Sequence, residues 1–397
     1  MNHGAFGLAT NQLLAESNLW RYYCELQPLR FFDRDLMPLV AMSVREMAKH
    51  LSCPAHELLP LPNVTSGLNS IFGSVRLAPG DEILCSSLTY GSTKKMLAEL
   101  AARRGATVRT VNLPLSQPLT KQFILKQTAG ALSHRTRLVV IDQVTSNTAV
   151  VMPTLELAAM CRAAGAVVVV DAAHSLFAQE VSLYEKDSAS GALSSQGCIS
   201  EYADFWLSNA HKWMCNPKGC AFVWVSPGSP PLRPAILSHG FAAGQDGFAS
   251  RERMLSGFAW DGCRDYAALL TISSAIRHWS YLDAASCRMS NSNLLAAAVE
   301  MLRAEWGVAA DDVVAERALL SGSPMALVPL PASVAGSGGV SDNDAFRVQE
   351  WLHHEHLIEA PVKCLEGRLY VRISAHIYNC IADYQRLAWA VRGYRGS

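Results

Sequence analysis

The chain has 397 residues and a mass of 43.1 kDa, more than one small core accommodates, so two packed units or one large unit with an appendage are expected. Half of the residues are hydrophobic and only 17% are charged, which excludes a disordered chain and leaves room for a large subunit interface. Lys plus Arg and Asp plus Glu number 34 each, so no net field draws the chain to nucleic acid or to an anionic membrane.

The 11 cysteines are odd in number and contain no C-x-x-C pair, which predicts reduced thiols in a cytoplasmic compartment. The most apolar run, 166–170, stops at Asp171, far short of a membrane span. The opening MNHGAFGLATNQ lacks a basic segment followed by a long apolar one, so no secretory leader is expected.

In chain order, residues up to about Met42 mix aromatics, Pro28 and charge, and are expected to form a wrapping arm. A short amphipathic helix is expected over Val44 to Leu51. NVTSGLNSIFGSVRL predicts loop, cap and helix, with Thr65 or Ser66 as the capping hydroxyl and Leu68, Ile71, Phe72 and Val75 on one face. An alternation follows. DEILCSS is a strand, TYGSTKKMLAELAARRG a helix ended by Gly105, ATVRTVNL a strand, and TRLVVIDQVTSN a strand running into a loop. TLELAAMCRAAG is a helix ended by Gly165. AVVVVDAAHS is a strand with both faces covered, and ADFWLSNAHKW and CAFVWVSP are further strands. This rhythm predicts an α/β fold with a mostly parallel central sheet.

Two Ser- and Gly-rich segments, Ser182–Ser200 and Ser333–Asp342, read as an exposed insertion and a flexible turn. From about Asp265 a long helical stretch leads into a smaller α+β unit that ends in the hairpin APVKCLEGRLYVRIS and a last helix. The expected division is 1–42 as an N-terminal arm joining the small domain, 43–265 as the large domain, and 266–397 as the small one.

Ligands of open α/β sheets bind at the carboxyl ends of the strands. There the sequence puts Thr65 and Ser66 before a helix, Ser146, Asp171 and His174, and His211 with Lys212. A helix N-terminus with hydroxyls suits a phosphate. A lysine at one strand end and a carboxylate at another suggest pyridoxal phosphate, the lysine forming a Schiff base and the carboxylate holding the pyridine nitrogen protonated. Taken alone, Asp171 is equally a metal, ribose or base ligand, and Lys212 beside Trp213 equally a surface lysine beside a packing tryptophan.

The wording of the motifs goes further. NHGAFG, NVTSGLNSI, LAPGDEIL, LTYGSTK, VVIDQVTSNT, VVVVDAAHS, SNAHKWMCNPKGCAFVWV and YVRISAHIYN occur in this order. Together they resemble the isopenicillin N epimerase-like branch of the class V aminotransferase superfamily, to which ergothioneine-pathway C–S lyases are also similar. The resemblance spans nearly the whole chain. It implies a fold-type-I pyridoxal phosphate enzyme, a homodimer with sites at the subunit interface. It further implies that Lys212 carries the cofactor and moves the α-proton, and that Asp171 pairs with the pyridinium nitrogen. His174 and Ser146 would contact the ring 3′ oxygen, and Tyr90 would stack on the ring. Thr65, Ser66, Asn209 and His211 would hold the phosphate, and Arg372 would clamp the substrate carboxylate with a planar fork. One departure stands out: the Trp260-Asp261-Gly262 turn is followed by Cys263 where the family often has a threonine reaching the partner's phosphate, so a weak donor replaces a hydroxyl.

Other residues compete. Cys364 is the nearest candidate for a desulfurase-type nucleophile, although buried or incidental cysteines are commoner. His353 and His356 stand at i, i+3 and could share a metal, yet exposed helix histidines are the usual case and no metal is expected. Cys215 and Cys220 read as packing around the lysine strand. Three functions follow: a C–S lyase on a cysteine-derived amino acid, preferred on family breadth; an epimerase or aminotransferase; and a non-catalytic relative, disfavoured by the presence of Lys212, Asp171, His174 and Arg372.

Overall fold

A computed structural model describes residues 1–397 except 117, 187–191, 242–250, 310–311, 335–339 and 396–397, and the side chains of 251–253. Seven strands form the central sheet: β1 Leu58–Leu61, β2 Glu82–Ser86, β3 Thr107–Val111, β4 Thr136–Asp142, β5 Val167–Asp171, β6 Phe205–Asn209 and β7 Ala221–Val225. Their order is β1-β7-β6-β5-β4-β2-β3. The run from β3 to β6 is parallel, whereas β7 pairs antiparallel with β6, and β1 antiparallel with β7. The fold is therefore the expected α/β type with a mostly parallel sheet.

The apolar runs are explained by alternation. Val139 and Ile141 of β4, Val168 and Val170 of β5 and Trp206 of β6 enter the core on one face. Leu138, Val140, Val169, Phe205 and Leu207 enter the core on the other. A strand with period-2 side chains and helices on both sides has no polar face to spare. Gly105 ends the Gly91–Arg104 helix in the left-handed conformation, as the sequence predicts.

The smaller unit has a three-stranded antiparallel sheet, β8 Met325–Pro329, β9 Val362–Leu365 and β10 Arg368–Ser374, with β10 in the middle. Leu295 and Leu302 of the Ala284–Trp306 helix, Val348 and Leu352 of the Asp342–His356 helix, and Tyr384 and Leu387 of the last helix bury against it. The hairpin and the last helix agree with the sequence.

Three local expectations are corrected. The N-terminal arm is helical, with helices Asn11–Leu26, Pro28–Arg30 and Leu36–His50, the last absorbing the short helix expected from Val44. Pro28 occupies a first helical position, where its missing N–H costs nothing, so it starts a helix rather than excluding one. Leu13, Phe31, Leu36 and Val40 bury in the core under the large sheet, while Met1 packs against the small unit's core. The cap of the Val64–Ser74 helix is Asn63, whose side chain accepts from the Ser66 amide at 2.9 Å; Thr65 and Ser66 are already helical. Within Ser182–Ser200 there is a small antiparallel pair, Glu185–Lys186 with Leu193–Ser194, and a short helix Ile199–Tyr202. Residues 187–191 of that insertion, and 335–339 of the second Ser- and Gly-rich segment, lie outside the described residues.

Candidate active site

The carboxyl ends of β4, β5 and β6 open into a cavity of about 800 Å³. It is lined by Thr65, Tyr90, Ser146, Asp171, His174, Asn209, His211, Lys212 and Arg372 among others. Of the sequence-predicted set, only Ser66 and Cys263 are not among the lining residues. The Ser66 hydroxyl donates to Asn63 Oδ1 at 3.1 Å, and Cys263 is exposed.

Lys212 is the centre. Its Nζ lies 3.0 Å from His174 Nε2. Trp213 Nε1 donates to His174 Nδ1 at 3.4 Å, so the imidazole carries its hydrogen on Nε2 and can give it to the lysine nitrogen once that amine has lost its proton. Burial pushes the Lys212 ammonium down to about 8, the Asp171 charge opposing and Arg372 adding to the drop. Burial, then Lys212 and Arg372, holds His174 well below the ordinary histidine range. His174 is therefore neutral, and Lys212 gives up its proton far more readily than an ordinary lysine.

Asp171 is 5% exposed, and its Oδ1 accepts from the Ala173 amide at 3.1 Å. Burial raises its carboxyl, against that amide and the field of Lys212. Arg372, 7% exposed on β10, donates to the Ser146 carbonyl at 2.5 Å and to Asn2 Oδ1 at 3.3 Å. Among the described residues no carboxylate pairs with it, and burial pushes its guanidinium down to about 10. A buried arginine that no acid neutralises is an anion site in waiting. At the start of the Val64–Ser74 helix, Asn209 Oδ1 accepts from the Val64 amide at 3.1 Å. Near it, His211 Nδ1 has no hydrogen-bond partner among the described residues, and burial, then Lys212, pushes its ring down to about 4.

The residues present fit pyridoxal phosphate. A buried amine that sheds its proton readily, a buried carboxylate across the cavity, a helix start with a polar surround and an acid-free arginine are the donor set such a cofactor and its amino acid need.

Sequence reasoning missed Asn2, His3, Asp142 and His376. Asp142 ends β4 as Asp171 ends β5, each an acid closing an apolar strand run, and that parallel was a readable signal. Asn2 and His3 lie in the NHGAFG motif. Gly7 of that motif has φ +69°, and a Cβ there would meet the His211 carbonyl oxygen at 1.8 Å, so only glycine lets the segment cross the lysine turn.

The competing residues fall elsewhere. Cys364 sits in β9 and donates to the Val340 carbonyl at 3.4 Å, and it is not among the lining residues. His353 pairs with Glu359 at 2.7 Å and His354 with Glu350 at 3.2 Å, each on its own acid at the surface. Cys215 and Cys220 are buried.

A family model for Aminotransferase class-V matches residues 43–318. The chain belongs to the class V aminotransferase family. It is 28% identical to an isopenicillin N epimerase of Amycolatopsis lactamdurans, over 92% of this chain and 87% of that protein. It is 25% identical to an L-cysteine desulfhydrase of Arabidopsis thaliana, over 98% of this chain and 86% of that one. Among solved structures it is similar to the cystine C–S lyase C-DES in complex with cysteine persulfide, with a TM-score of 0.77 at 16% identity, covering 100% of this chain and 97% of that one.

Proposed function

We propose that the chain is a pyridoxal-phosphate-dependent C–S lyase acting on a cysteine-derived amino acid. The observation that carries the reading is the buried Lys212 amine, its hold on a proton weakened, facing His174, Asp171 and an Arg372 with no acid partner among the described residues. The likeness to L-cysteine desulfhydrase and to a cystine C–S lyase supports the choice of reaction.

When bound, pyridoxal phosphate supplies an electron sink for the pair left on the substrate Cα. The chain's residues do the rest. Lys212 would hold the cofactor and, with its amine free, would take the α-proton as a base kept close to that bond. His174 keeps its Nε2–H on the lysine nitrogen and, with Ser146, meets the ring oxygen. Asp171 faces the ring nitrogen, and its charge favours a proton there. Tyr90, at the cavity mouth, covers the ring face. Thr65, Asn209 and His211 surround the phosphate; Ser66 contributes less, because its hydrogen goes to Asn63. Arg372 receives the substrate carboxylate, Asn2 fixing one guanidinium nitrogen. Breaking the Cβ–S bond would send the sulfur away as a thiolate that takes up a proton, and the remaining carbon skeleton, displaced by Lys212 and hydrolysed by one water, would give a keto acid and ammonia.

The working unit in this reading is a homodimer, supported by the exposed Leu19, Tyr22, Leu26 and Leu29 along the first helices. Cys263, on an exposed turn, would then reach a partner's phosphate through its backbone amide. We place the enzyme in the cytoplasm on its unpaired thiols; among the described residues no helix is long and apolar enough to cross a membrane.

The test is the visible spectrum of the purified protein before and after borohydride, with the labelled peptide mapped. A yellow protein that bleaches and carries the label on Lys212 is expected. L-Cysteine conjugates should then yield pyruvate, ammonia and a free thiol. The epimerase likeness names the second reading: loss of optical rotation from one enantiomer with no sulfur released would replace the lyase with an epimerase, and keto-acid-dependent amino transfer would replace it with an aminotransferase.

A further inference from the structure

Parallel pairing of β4 with β5 sets Asp142 directly opposite Asp171, and residues so paired point to the same face of a sheet. Both line the cavity, and both are 5% exposed. Asp142 Oδ1 accepts from the Tyr90 amide at 3.2 Å, whereas Oδ2 is buried with no hydrogen-bond partner among the described residues. Two carboxyls on neighbouring strands of one dry cavity, the charge of one opposing that of the other, do not both ionise readily.

The surroundings decide which keeps the proton. Facing Asp142 are the Cys85 thiol on β2, the Thr89 hydroxyl, Lys94 on the Gly91–Arg104 helix, and Asp171. The Lys94 ammonium is given to the Ser87 carbonyl at 2.5 Å, and among the described residues Asp142 forms no ion pair. Asp171 has the Ala173 amide and the field of Lys212. Burial and then the Asp171 charge raise the Asp142 carboxyl, against weaker help from Thr89, Tyr90 and Lys94.

We propose that Asp142 is a positioning residue that keeps its proton at neutral pH and shares it, through Oδ2, with Asp171, so that the pair faces the cofactor ring nitrogen with a single negative charge. The proton stands on this chain's geometry alone; only its service to the ring rests on the function proposed above. A carboxylate that already accepts one hydrogen bond is a weaker base. Asp142 thereby fixes the orientation of Asp171 and moderates how tightly it holds the ring proton.

The experiment is infrared difference spectroscopy of the cofactor-free protein, with and without ¹³C-aspartate, across pH. At neutral pH a protonated-carboxyl stretch is expected that shifts with the label and disappears in Asp142→Asn. Its absence from the wild type at neutral pH overturns the proposal, and so does its survival in the variant. Should Asp142→Asn fail to fold by circular dichroism, the wild-type spectrum alone decides: the labelled band must be present at neutral pH and bleach as pH rises. On cofactor-loaded protein, Asp142→Asn retains a donor. It should keep the pH midpoint of the visible band within about threefold in proton affinity, whereas Asp142→Ala should move it by about tenfold or more. Equal movement in both variants marks a merely structural role and sinks the proposal. A protein that never takes up the cofactor defeats the proposed function while leaving the infrared result standing.

Discussion

Two clusters of nitrogen ligands flank Lys212, and they are finished to different degrees. Behind it, His3 and His376 stack with ring centroids 4.1 Å apart, and Cys215 Sγ lies 3.5 Å from His376 Nε2. His3, Cys215 and His376 are close enough together to hold a metal ion. Yet every ring nitrogen is spent. His3 Nε2 donates to the Lys212 carbonyl at 2.9 Å, and Nδ1 accepts from the Tyr378 hydroxyl at 2.8 Å. His376 Nε2 donates to the Trp213 carbonyl at 3.1 Å, and Nδ1 accepts from the Ile377 amide at 3.0 Å. Burial pushes His3 down to about 3 and His376 to about 4, and raises the Cys215 thiol to about 12. In front of Lys212 the groups are unfinished: among the described residues Arg372 has no acid and His211 Nδ1 no partner. Satisfied polar groups hold shape, and unsatisfied ones await something.

The comparison breaks most visibly at Lys212. Lys212→Ala should abolish turnover, a loss of at least about 10⁴-fold because it removes both the covalent anchor and the base, with the bound visible band gone. Thermal stability should hold or rise, since a buried amine is removed; a parallel collapse of melting temperature would assign the lysine to the structural side. Arg372→Ala comes next. Losing a charge-assisted pair of about 1.5–3 kcal/mol should raise KM for substrates with a free carboxylate by about ten- to a hundredfold and leave cofactor affinity nearly intact. An unchanged KM removes the clamp.

His3→Ala tests the finished cluster. It leaves the Lys212 carbonyl and the Tyr378 hydroxyl unpaired, which should cost about 1–3 kcal/mol of stability in urea unfolding. If His3 instead served a metal, chelator would reproduce the loss in the wild type, and it is expected not to.

Much of this was legible. The alternating strand and helix rhythm, the Gly105 stop and the acids and lysine at strand ends follow from period and punctuation alone. The helical arm did not, because Leu14, Leu19, Tyr22 and Leu26 face outward and blur the apolar stripe of the Asn11–Leu26 helix. The Asn63 cap was missed because two hydroxyls followed it. The Asp142–Asp171 pair and the reach of Asn2 to Arg372 depend on strand order and on a segment 370 residues away, and neither is encoded locally.

The smallest expected effect is a pH slope in the cofactor-free protein. Lys212 titrates near 8 when folded and near 10.5 as an ordinary lysine. Between those values the unfolded chain binds more protons than the folded one, so stability rises with pH. Below about 8 both states are protonated and the full penalty, roughly 3 kcal/mol at most, is present. Lys212→Met keeps the volume without the charge and should flatten that slope, while His3→Ala should lower the whole curve and leave the slope in place. Urea unfolding of the three proteins between pH 7.5 and 10 separates them: a wild-type curve without the rise would mean that the amine is solvated when folded, and that the groups in front of Lys212 are not the dry, unfinished set described above.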